Sequence, residues 1–276
     1  MGSCAHCGKA SAVCCSHCVG APEYHDGDAV ATFWCSPGCQ AAHEPTHQEY
    51  CYNLQRRKTL LRTAELLKAA LLAYKEVVYD IHCTMAISLL GPMARGLLAG
   101  IVSRMDVAVV EIQNPPLTIK FHPPDGIMTD RKFHTIIEAT LDSSGEQWLI
   151  DVTGCQYGFR EILLPLEKYI AQNNCSSYEL LQPYGHTETT DQDELPHSPL
   201  IILTRGPNEQ QLADIEIEKG YRRHFAALVR AVINQGLTQG PDAQFAVTLD
   251  GLVHRVITYM SNYQPRMGAY QESIMH

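Results

Sequence analysis

The 276-residue chain opens with Cys4-x2-Cys7-x7-Cys15-x2-Cys18-x16-Cys35-x3-Cys39-x7-His47-x3-Cys51, an array of eight soft metal ligands in four pairs. Zinc binds four thiolate or imidazole donors in a tetrahedron, so this array predicts two zinc ions that each take two pairs. The stretch carries few large apolar side chains, and about 50 residues of this kind cannot bury enough surface to fold alone. We therefore expect metal binding to fold residues 1–52.

The ligand order, with the aromatic pair Phe33-Trp34 before Cys35, resembles the MYND-type zinc finger. The resemblance implies a cross-brace, in which alternate ligand pairs share an ion. It assigns one zinc ion to Cys4, Cys7, Cys35 and Cys39. It assigns the second zinc ion to Cys15, Cys18, His47 and Cys51.

Two neighbouring residues are rival ligands. Cys14 stands next to Cys15, but only Cys15 forms the two-residue loop to Cys18. His43 is the corresponding rival of His47. Fingers of this type often dock peptides, so the resemblance also implies a partner protein or peptide at the finger.

The positions of the cysteines indicate the cellular compartment of the protein. A disulfide scaffold would also contain many cysteines, yet no apolar signal segment precedes Cys4 and few of the eleven cysteines lie beyond the finger. This pattern favours a reducing compartment and predicts a cytoplasmic location, with the nucleus as an alternative. No run approaches the roughly 18 apolar residues of a membrane span, so we expect no membrane association.

Beyond the finger the sequence predicts an α+β domain at residues 53–276. Helical periodicity covers 53–104, and a period of two covers 105–170, which is typical of a small antiparallel sheet. Residues 182–199 predict a loop, and 208–263 predict closing helices. The individual segments are helices at 53–80 and 84–104 and strands at 107–112, 117–121, 133–141 and 147–152.

The first predicted helix carries the densest basic cluster of a chain whose net charge is -9. The cluster comprises Arg56, Arg57, Lys58, Arg62, Lys68 and Lys75. Such a cluster is either a solvated helix face or an anchor for phosphates. Within the finger, Lys9 is the only Lys or Arg against five acidic residues, which argues against DNA binding by the finger.

Three residues of the domain form a candidate catalytic triad. Cys83 lies near a helix start, His134 near a strand start and Asp151 at the end of the next strand. The turn at 142–145 predicts a hairpin that sets His134 opposite or diagonal to Asp151. A cysteine at a helix N-terminus, activated by an imidazole that a carboxylate orients, is suited to acyl transfer. Cys155, between Gly154 and Gly158, is the rival nucleophile.

The order of Cys, His and a Trp-led Asp strand is similar to the transglutaminase-like and arylamine-acetyltransferase-like superfamily. With Trp-Leu-Ile-Asp-Val-Thr-Gly-Cys-Gln-Tyr-Gly-Phe at 148–159, the chain also resembles a group of fungal proteins with an N-terminal MYND-type finger. Through that group the chain also resembles the arginine-containing cyclodipeptide synthases. The resemblance implies that aminoacyl-tRNAs are joined into an arginine-containing cyclic dipeptide in secondary metabolism.

This resemblance implies further roles for particular residues. Glu138, which has the strand parity of His134, would bind the guanidinium of the substrate. Binding of tRNA would fall to Arg56, Arg57, Lys58 and Arg62. A second contact surface would comprise Arg222, Arg223 and Arg230.

A different class of function is a non-enzymatic adaptor or regulatory protein whose finger binds partner peptides. A SET-type lysine methyltransferase is the familiar enzyme context of this finger. The sequence has no Asn-His or Gly-rich cofactor signature of that enzyme class.

Overall fold

The fold is that of a computed structural model, which describes residues 1–78, 83–117, 133–195 and 208–263 and the backbone of the strands Lys120–Phe121 and Thr129–Asp130. Parts of three predicted segments lie outside the described residues, at 79–80, 118–119 and 196–199. Among the helices described, none is long and apolar enough to cross a membrane.

The N-terminal region has little regular structure before its first helix. Strands β1 (Gly2–Ser3) and β2 (Ala10–Ser11) pair antiparallel. Helix α1 then runs over Pro37–Lys75. The hydroxyl of Ser36 caps its start by accepting a hydrogen bond from the backbone N–H of Cys39 at 3.2 Å.

Helix α1 begins earlier than the predicted start at residue 53. It therefore crosses the predicted boundary between finger and domain at residue 52. The early start follows from the Ser36 cap and from Pro37 in the first turn. Backbone N–H groups in the first turn have no carbonyl partner within the helix, so a proline, which has no N–H, fits there without loss. The last finger ligands and the first core residues consequently share one helix.

The domain is built around a five-stranded antiparallel sheet. Its strands are β3 (Val102–Ile112), β6 (Phe133–Leu141), β7 (Gln147–Ile150), β8 (Leu163–Pro165) and β9 (Cys175–Pro183), in the order β8-β7-β6-β3-β9. The short strands β4 (Lys120–Phe121) and β5 (Thr129–Asp130) form a separate pair. The predicted combination of helices with a small antiparallel sheet is confirmed.

The predicted sheet range of 105–170 omits β9. This strand pairs with β3 at the sheet edge, and its side chains are mostly exposed. A strand without a buried face has no alternation of apolar and polar residues, so periodicity does not detect it.

Helices cover one face of the sheet. They are α1, α2 (Cys83–Leu98), α5 (Glu209–Val232) and α6 (Asp242–Ser261), and α5 and α6 fall within the predicted helical range 208–263. Helix α2 ends before the predicted residue 104, because Gly100 turns the chain with a φ of +72° and β3 follows at once. The core on this face includes Leu67, Tyr74, Leu90, Ile137, Trp148, Phe225 and Val256.

The opposite face of the sheet is covered by the segment that follows β7. This segment contains a 3-10 turn (Gly154–Tyr157) and helix α3 (Leu166–Gln172). Its rings pack on inward residues of the central strands. The second core comprises Ala108, Val110, Ile112, Ile136, Leu149, Tyr157, Phe159, Leu164 and Tyr169.

The segment predicted as a loop at 182–199 is partly regular. Its first two residues end β9, and Thr190–Glu194 forms the short helix α4. Arg222 holds this helix against α5, because its guanidinium binds both Asp191 and Glu218 at 2.5 Å. These charge pairs and the buried Tyr184, which belongs to the helical core, hold this segment.

The basic cluster of α1 does not form a solvated face. Arg57, Lys58 and Arg62 are buried, and each lies in an internal ion pair. Arg56 is paired with Asp142 and also donates to backbone carbonyls. Because these cations already have partners inside the protein, the arrangement argues against the predicted contact of Arg56, Arg57, Lys58 and Arg62 with tRNA phosphates.

The internal partners of the cluster lie in distant parts of the chain. Lys58 and Arg62 both bind Asp242 at the start of α6, at 2.9 and 2.6 Å. Lys58 also donates to the carbonyl of Val19 in the finger at 2.6 Å. Helix α1 therefore ties the finger to the last described helix.

Arg57 makes the most extensive of these contacts. Its guanidinium lies between Asp28 of the finger and Glu146 of the β6–β7 turn, with two hydrogen bonds to each carboxylate at 2.6–3.0 Å. Beside it, the ring of Tyr24 packs on Trp148 with centroids 5.4 Å apart. The finger is thus joined to the hairpin that precedes Asp151.

Truncating this arginine tests the internal role of the cluster. Arg57→Ala leaves the carboxylates of Asp28 and Glu146 without their shared cation, so we expect a loss of about 3–5 kcal/mol in the free energy of unfolding. The control Arg223→Ala removes a guanidinium that is 56% exposed and 4.0 Å from its partner, and should cost less than about 1 kcal/mol. Urea unfolding measures both, and equal small losses would contradict the prediction.

Candidate functional site

The first ligand group joins the start of α1 to the loop after β1. Cys35 precedes the cap of α1 and Cys39 is in its first turn, while Cys4 and Cys7 come from the loop after β1. The Cys7 sulfur is 3.4 Å from that of Cys35 and 3.8 Å from that of Cys39. The sulfurs of Cys35 and Cys39 are 3.6 Å apart.

The second ligand group uses the next turns of α1. His47 and Cys51, four residues apart, present both ligands on one side of the helix. The sulfur of Cys15 lies 3.6 Å from that of Cys51, and the sulfur of Cys18 lies 3.4 Å from Nε2 of His47. The other ring nitrogen of His47 is 3.3 Å from the Thr32 hydroxyl, which orients the imidazole.

Both groups have the size of a tetrahedral metal site. Ligand atoms in each group lie within 4.8 Å of one another. Metal–sulfur bonds of about 2.3 Å place sulfurs about 3.8 Å apart in a tetrahedron, whereas a disulfide requires about 2.05 Å. The predicted grouping is confirmed, and each group can hold a metal ion. The rivals Cys14 and His43 belong to neither group.

The thiols within these groups do not ionise independently. Hydrogen bonds from the backbone of Cys7 and Cys35 lower the pKa of Cys4 to about 6. Neighbouring sulfurs raise the pKa of Cys35 to about 12, and burial raises that of Cys51 to about 11. Crowding opposes the ionisation of all thiols at once, and a bound divalent cation removes this opposition.

Metal content tests the two groups. We expect elemental analysis of the reduced, full-length protein to give about two equivalents of metal per chain. Cys18→Ser should lose about one equivalent, because it removes a buried ligand from the second group.

The matched control is Cys14→Ser, which changes a cysteine next to the group but outside it. It should retain about two equivalents. A loss of metal in the control equal to that in Cys18→Ser would show that the ligand assignment is wrong.

A second candidate site lies at the end of the β6–β7 hairpin. Ile137 pairs with Ile150, which sets Asp151 diagonal to His134, as the predicted hairpin register requires. Nε2 of His134 lies 2.8 Å from Oδ1 of Asp151, and both side chains are almost fully buried. The structure thus brings together two of the three predicted catalytic residues as a hydrogen-bonded pair.

Asp151 has further hydrogen-bond donors. The hydroxyl of Tyr169 donates to Oδ2 at 2.7 Å, and the backbone N–H of Thr153 donates to Oδ1 at 3.2 Å. Burial alone would raise the pKa of Asp151, but the charge of His134 and these hydrogen bonds bring it below its ordinary value. The carboxylate is therefore held in its ionised form.

The third predicted residue, Cys83, lies beside the imidazole. Burial alone would lower the pKa of His134, but the Asp151 carboxylate, followed by the Cys83 thiol, raises it above its ordinary value. Nδ1 of His134 is buried and has no hydrogen-bond partner of standard geometry among the described residues. Cys83 is the first residue of α2 and is buried. Cys83, His134 and Asp151 consequently meet at one place.

The rival nucleophile Cys155 has different surroundings. It is exposed on the 3-10 turn after Asp151, whereas the thiol that influences the imidazole is that of Cys83. This arrangement favours Cys83 over Cys155 as the partner of His134.

Glu138 is distant from this site. It lies four residues beyond His134 on β6, which corresponds to about 13 Å along the strand. Its Oε1 accepts hydrogen bonds from Arg104 at 3.2 Å and Gln147 at 3.1 Å. The guanidinium of Arg104 therefore occupies the position beside Glu138 that was predicted for the guanidinium of a substrate.

Sequence reasoning did not assign a role to Tyr169 or Tyr157. Tyr169 lies 18 residues beyond Asp151, and the ring of Tyr157 packs edge-on against His134 at 4.9 Å. Local periodicity holds no signal for either contact, because both depend on how the segment after β7 folds back over the sheet.

Comparison of the chain with protein-family models, with curated proteins and with solved structures found no match. The resemblances to the MYND-type finger, the transglutaminase-like superfamily and the cyclodipeptide synthases stay predictions.

The buried pair predicts a pH-dependent stability. In a Cys83→Ala background, which removes the thiol and its titration, we expect the Asp151 carboxylate to keep folded His134 protonated above the pH of about 6.5 at which the unfolded chain loses the proton. The stabilisation is complete below about pH 6.5. The free energy of unfolding should then fall by up to about 1.4 kcal/mol per pH unit as pH rises toward the folded pKa.

Adding His134→Gln to that background should remove this slope. Urea unfolding between about pH 6.5 and 8.5 measures both proteins, a range set by the unfolded pKa of histidine. Parallel profiles of stability against pH would show that His134 is not held in its protonated form.

Proposed function

We propose that this chain is a zinc-folded acyltransferase with Cys83 as its nucleophile. The observation that carries the proposal is the buried His134–Asp151 hydrogen bond of 2.8 Å with the Cys83 thiol beside the same imidazole. A nucleophile, a base and a carboxylate that orients the base are the groups that covalent acyl transfer requires.

The two ligand groups would hold zinc in a structural role. Their donors are seven sulfurs and one imidazole, which suit zinc, and four protein ligands leave no open position on either ion. Bound zinc would supply cross-links to a segment that has little core of its own.

The chemistry follows from the positions of the three residues. The Asp151 carboxylate keeps His134 as an imidazolium, and this cation stabilises the thiolate of Cys83 beside it. The N-terminus of α2 favours negative charge on the sulfur. The thiolate attacks an ester carbonyl and the ester C–O bond breaks. His134 then protonates the departing alcohol, which leaves a thioester on Cys83.

We propose aminoacyl-tRNA as the acyl donor and an arginine-containing cyclic dipeptide as the product. The amine of a second aminoacyl-tRNA attacks the thioester, which releases the thiol and forms a dipeptidyl ester. The free amine of the dipeptide then attacks that ester, closes the ring and releases the second tRNA. Each acyl group enters as an ester, so no ATP is needed.

Contact with tRNA would use cations other than those of α1. Arg223 and Arg230, two helical turns apart on α5, are 56% and 60% exposed, and each lies in a loose ion pair with a carboxylate of the described residues, at 4.0 and 3.7 Å. Arg222, the third residue of the predicted second surface, is fully buried between two acids. The phosphate-contacting pair is therefore Arg223 and Arg230.

Charged tRNAs provide the direct test. Metal-loaded full-length protein is incubated with arginyl-tRNA and each second aminoacyl-tRNA without ATP, and mass spectrometry detects cyclic dipeptides and acylated protein. We expect product from the wild type and from Cys155→Ala. Cys83→Ala should give neither product nor acylated protein, because it lacks the attacking sulfur.

Two results would contradict the proposal. Product formation by Cys83→Ala would show that this thiol is not the nucleophile. The lack of product and of acylated protein with every pairing would instead favour the non-enzymatic adaptor, whose finger binds a partner.

A further inference from the structure

The segment that follows Asp151 has no assigned role in the acyl transfer proposed above. Residues 153–170 include the 3-10 turn and helix α3, and their rings cover the sheet face that bears His134. We infer that this segment positions the catalytic carboxylate, and that Tyr169 is the positioning residue. The inference rests on the proposed role of Cys83, His134 and Asp151.

The geometry around Asp151 leaves little freedom to its carboxylate. Oδ1 accepts from His134 and from the N–H of Thr153, at 2.8 and 3.2 Å, while Oδ2 accepts from Tyr169 at 2.7 Å. Rotation of the carboxylate would break bonds on both oxygens. Tyr169 thereby keeps Oδ1 directed at the imidazole.

The hydroxyl of Tyr169 adds more than packing. The ring is buried and packs edge-on with Phe159 at 6.2 Å, a contact that a phenylalanine would also make. Burial and the charge of Asp151 raise the pKa of Tyr169 well above its usual range. The hydroxyl therefore stays protonated and remains a donor to Asp151.

Gly154 supplies the space for this arrangement. A Cβ atom at that position would lie 2.3 Å from Oδ2 of Asp151, closer than non-bonded atoms approach. Any larger residue would push the oxygen that Tyr169 binds. The glycine of the 3-10 turn and the tyrosine of α3 thus act on the same atom.

Loss of the hydroxyl should change the charge balance of the site. Among the residues that the structure describes, the titratable groups facing the pair are Cys83, Tyr157, Tyr169 and Cys175, and burial and Asp151 raise the pKa of Cys175 to about 11. Without Tyr169 as donor, Oδ2 is buried with one hydrogen bond fewer, so the ionised carboxylate and the imidazolium are both less stable. The Cys83 thiolate loses support in turn.

The test measures the rate at which iodoacetamide alkylates Cys83 as a function of pH. Site-resolved mass spectrometry follows the reaction in metal-loaded full-length protein. For Tyr169→Phe we expect a shift of the profile to higher pH by about one unit, which is about a tenfold lower rate below the midpoint. Tyr184→Phe is the matched control, because it removes a buried hydroxyl that donates to the Ile87 carbonyl at 2.6 Å, and its profile should match the wild type.

Two further variants separate positioning from packing. In an Asp151→Asn background, Tyr169→Phe should cause no additional shift, since its effect acts through the carboxylate. Gly154→Ala should reproduce the shift, because it displaces the same oxygen, and it provides the readout if Tyr169→Phe does not fold.

Three results would overturn the inference. They are a wild-type profile in folded Tyr169→Phe, an undiminished shift in the Asp151→Asn background, and loss of folding in both Tyr169→Phe and Gly154→Ala. Alkylation of Cys83 requires no acyl donor, so this test remains valid even if the protein forms no cyclic dipeptide. Failure of the inference about Tyr169 can therefore be told apart from failure of the proposed function.

Discussion

The continuity of helix α1 is the constraint on which the rest of the structure depends. One end of this helix carries three residues of the two ligand groups that can hold metal, and the other end carries core residues such as Leu67 and Tyr74. Pro45 is the last proline of this helix, and beyond it each residue advances the chain by about 1.5 Å, so the turns that carry His47 and Cys51 fix where the core residues lie. The two ligand groups and the helical side of the core therefore cannot be placed independently.

Buried charge carries this constraint into the sheet. Arg57 contacts Asp28 in the finger and Glu146 in the turn that leads into β7, and β7 leads directly to Asp151. Ionised groups removed from water are tolerated only when their hydrogen-bonding atoms have partners. Arg57 and Asp151 both meet this condition through several short contacts. The buried charged groups therefore fix the relative positions of the elements that they join, in addition to stabilising the fold.

Features that depend on local spacing were predictable from the sequence. Ligand spacing, with the family resemblance, predicted both ligand groups, and the turn at 142–145 predicted the register that joins His134 to Asp151. Features that depend on distant partners were not. The basic residues of α1 were interpreted as a surface, because charge counting does not reveal that Asp28, Glu146 and Asp242 face them. Strand β9 has no buried face, so it lacks the alternation of apolar and polar residues that predicts a strand.

The shared helix also has a consequence for how this protein can be divided or inherited. A cut after residue 52 would fall in mid-helix, and it would separate Cys51 from Leu54, which is buried one turn further on. Each fragment would end in unpaired backbone groups and an exposed apolar stripe. Recombination at this point would therefore not yield a finger that folds by itself. We expect residues 1–52 and the domain that follows to be inherited together.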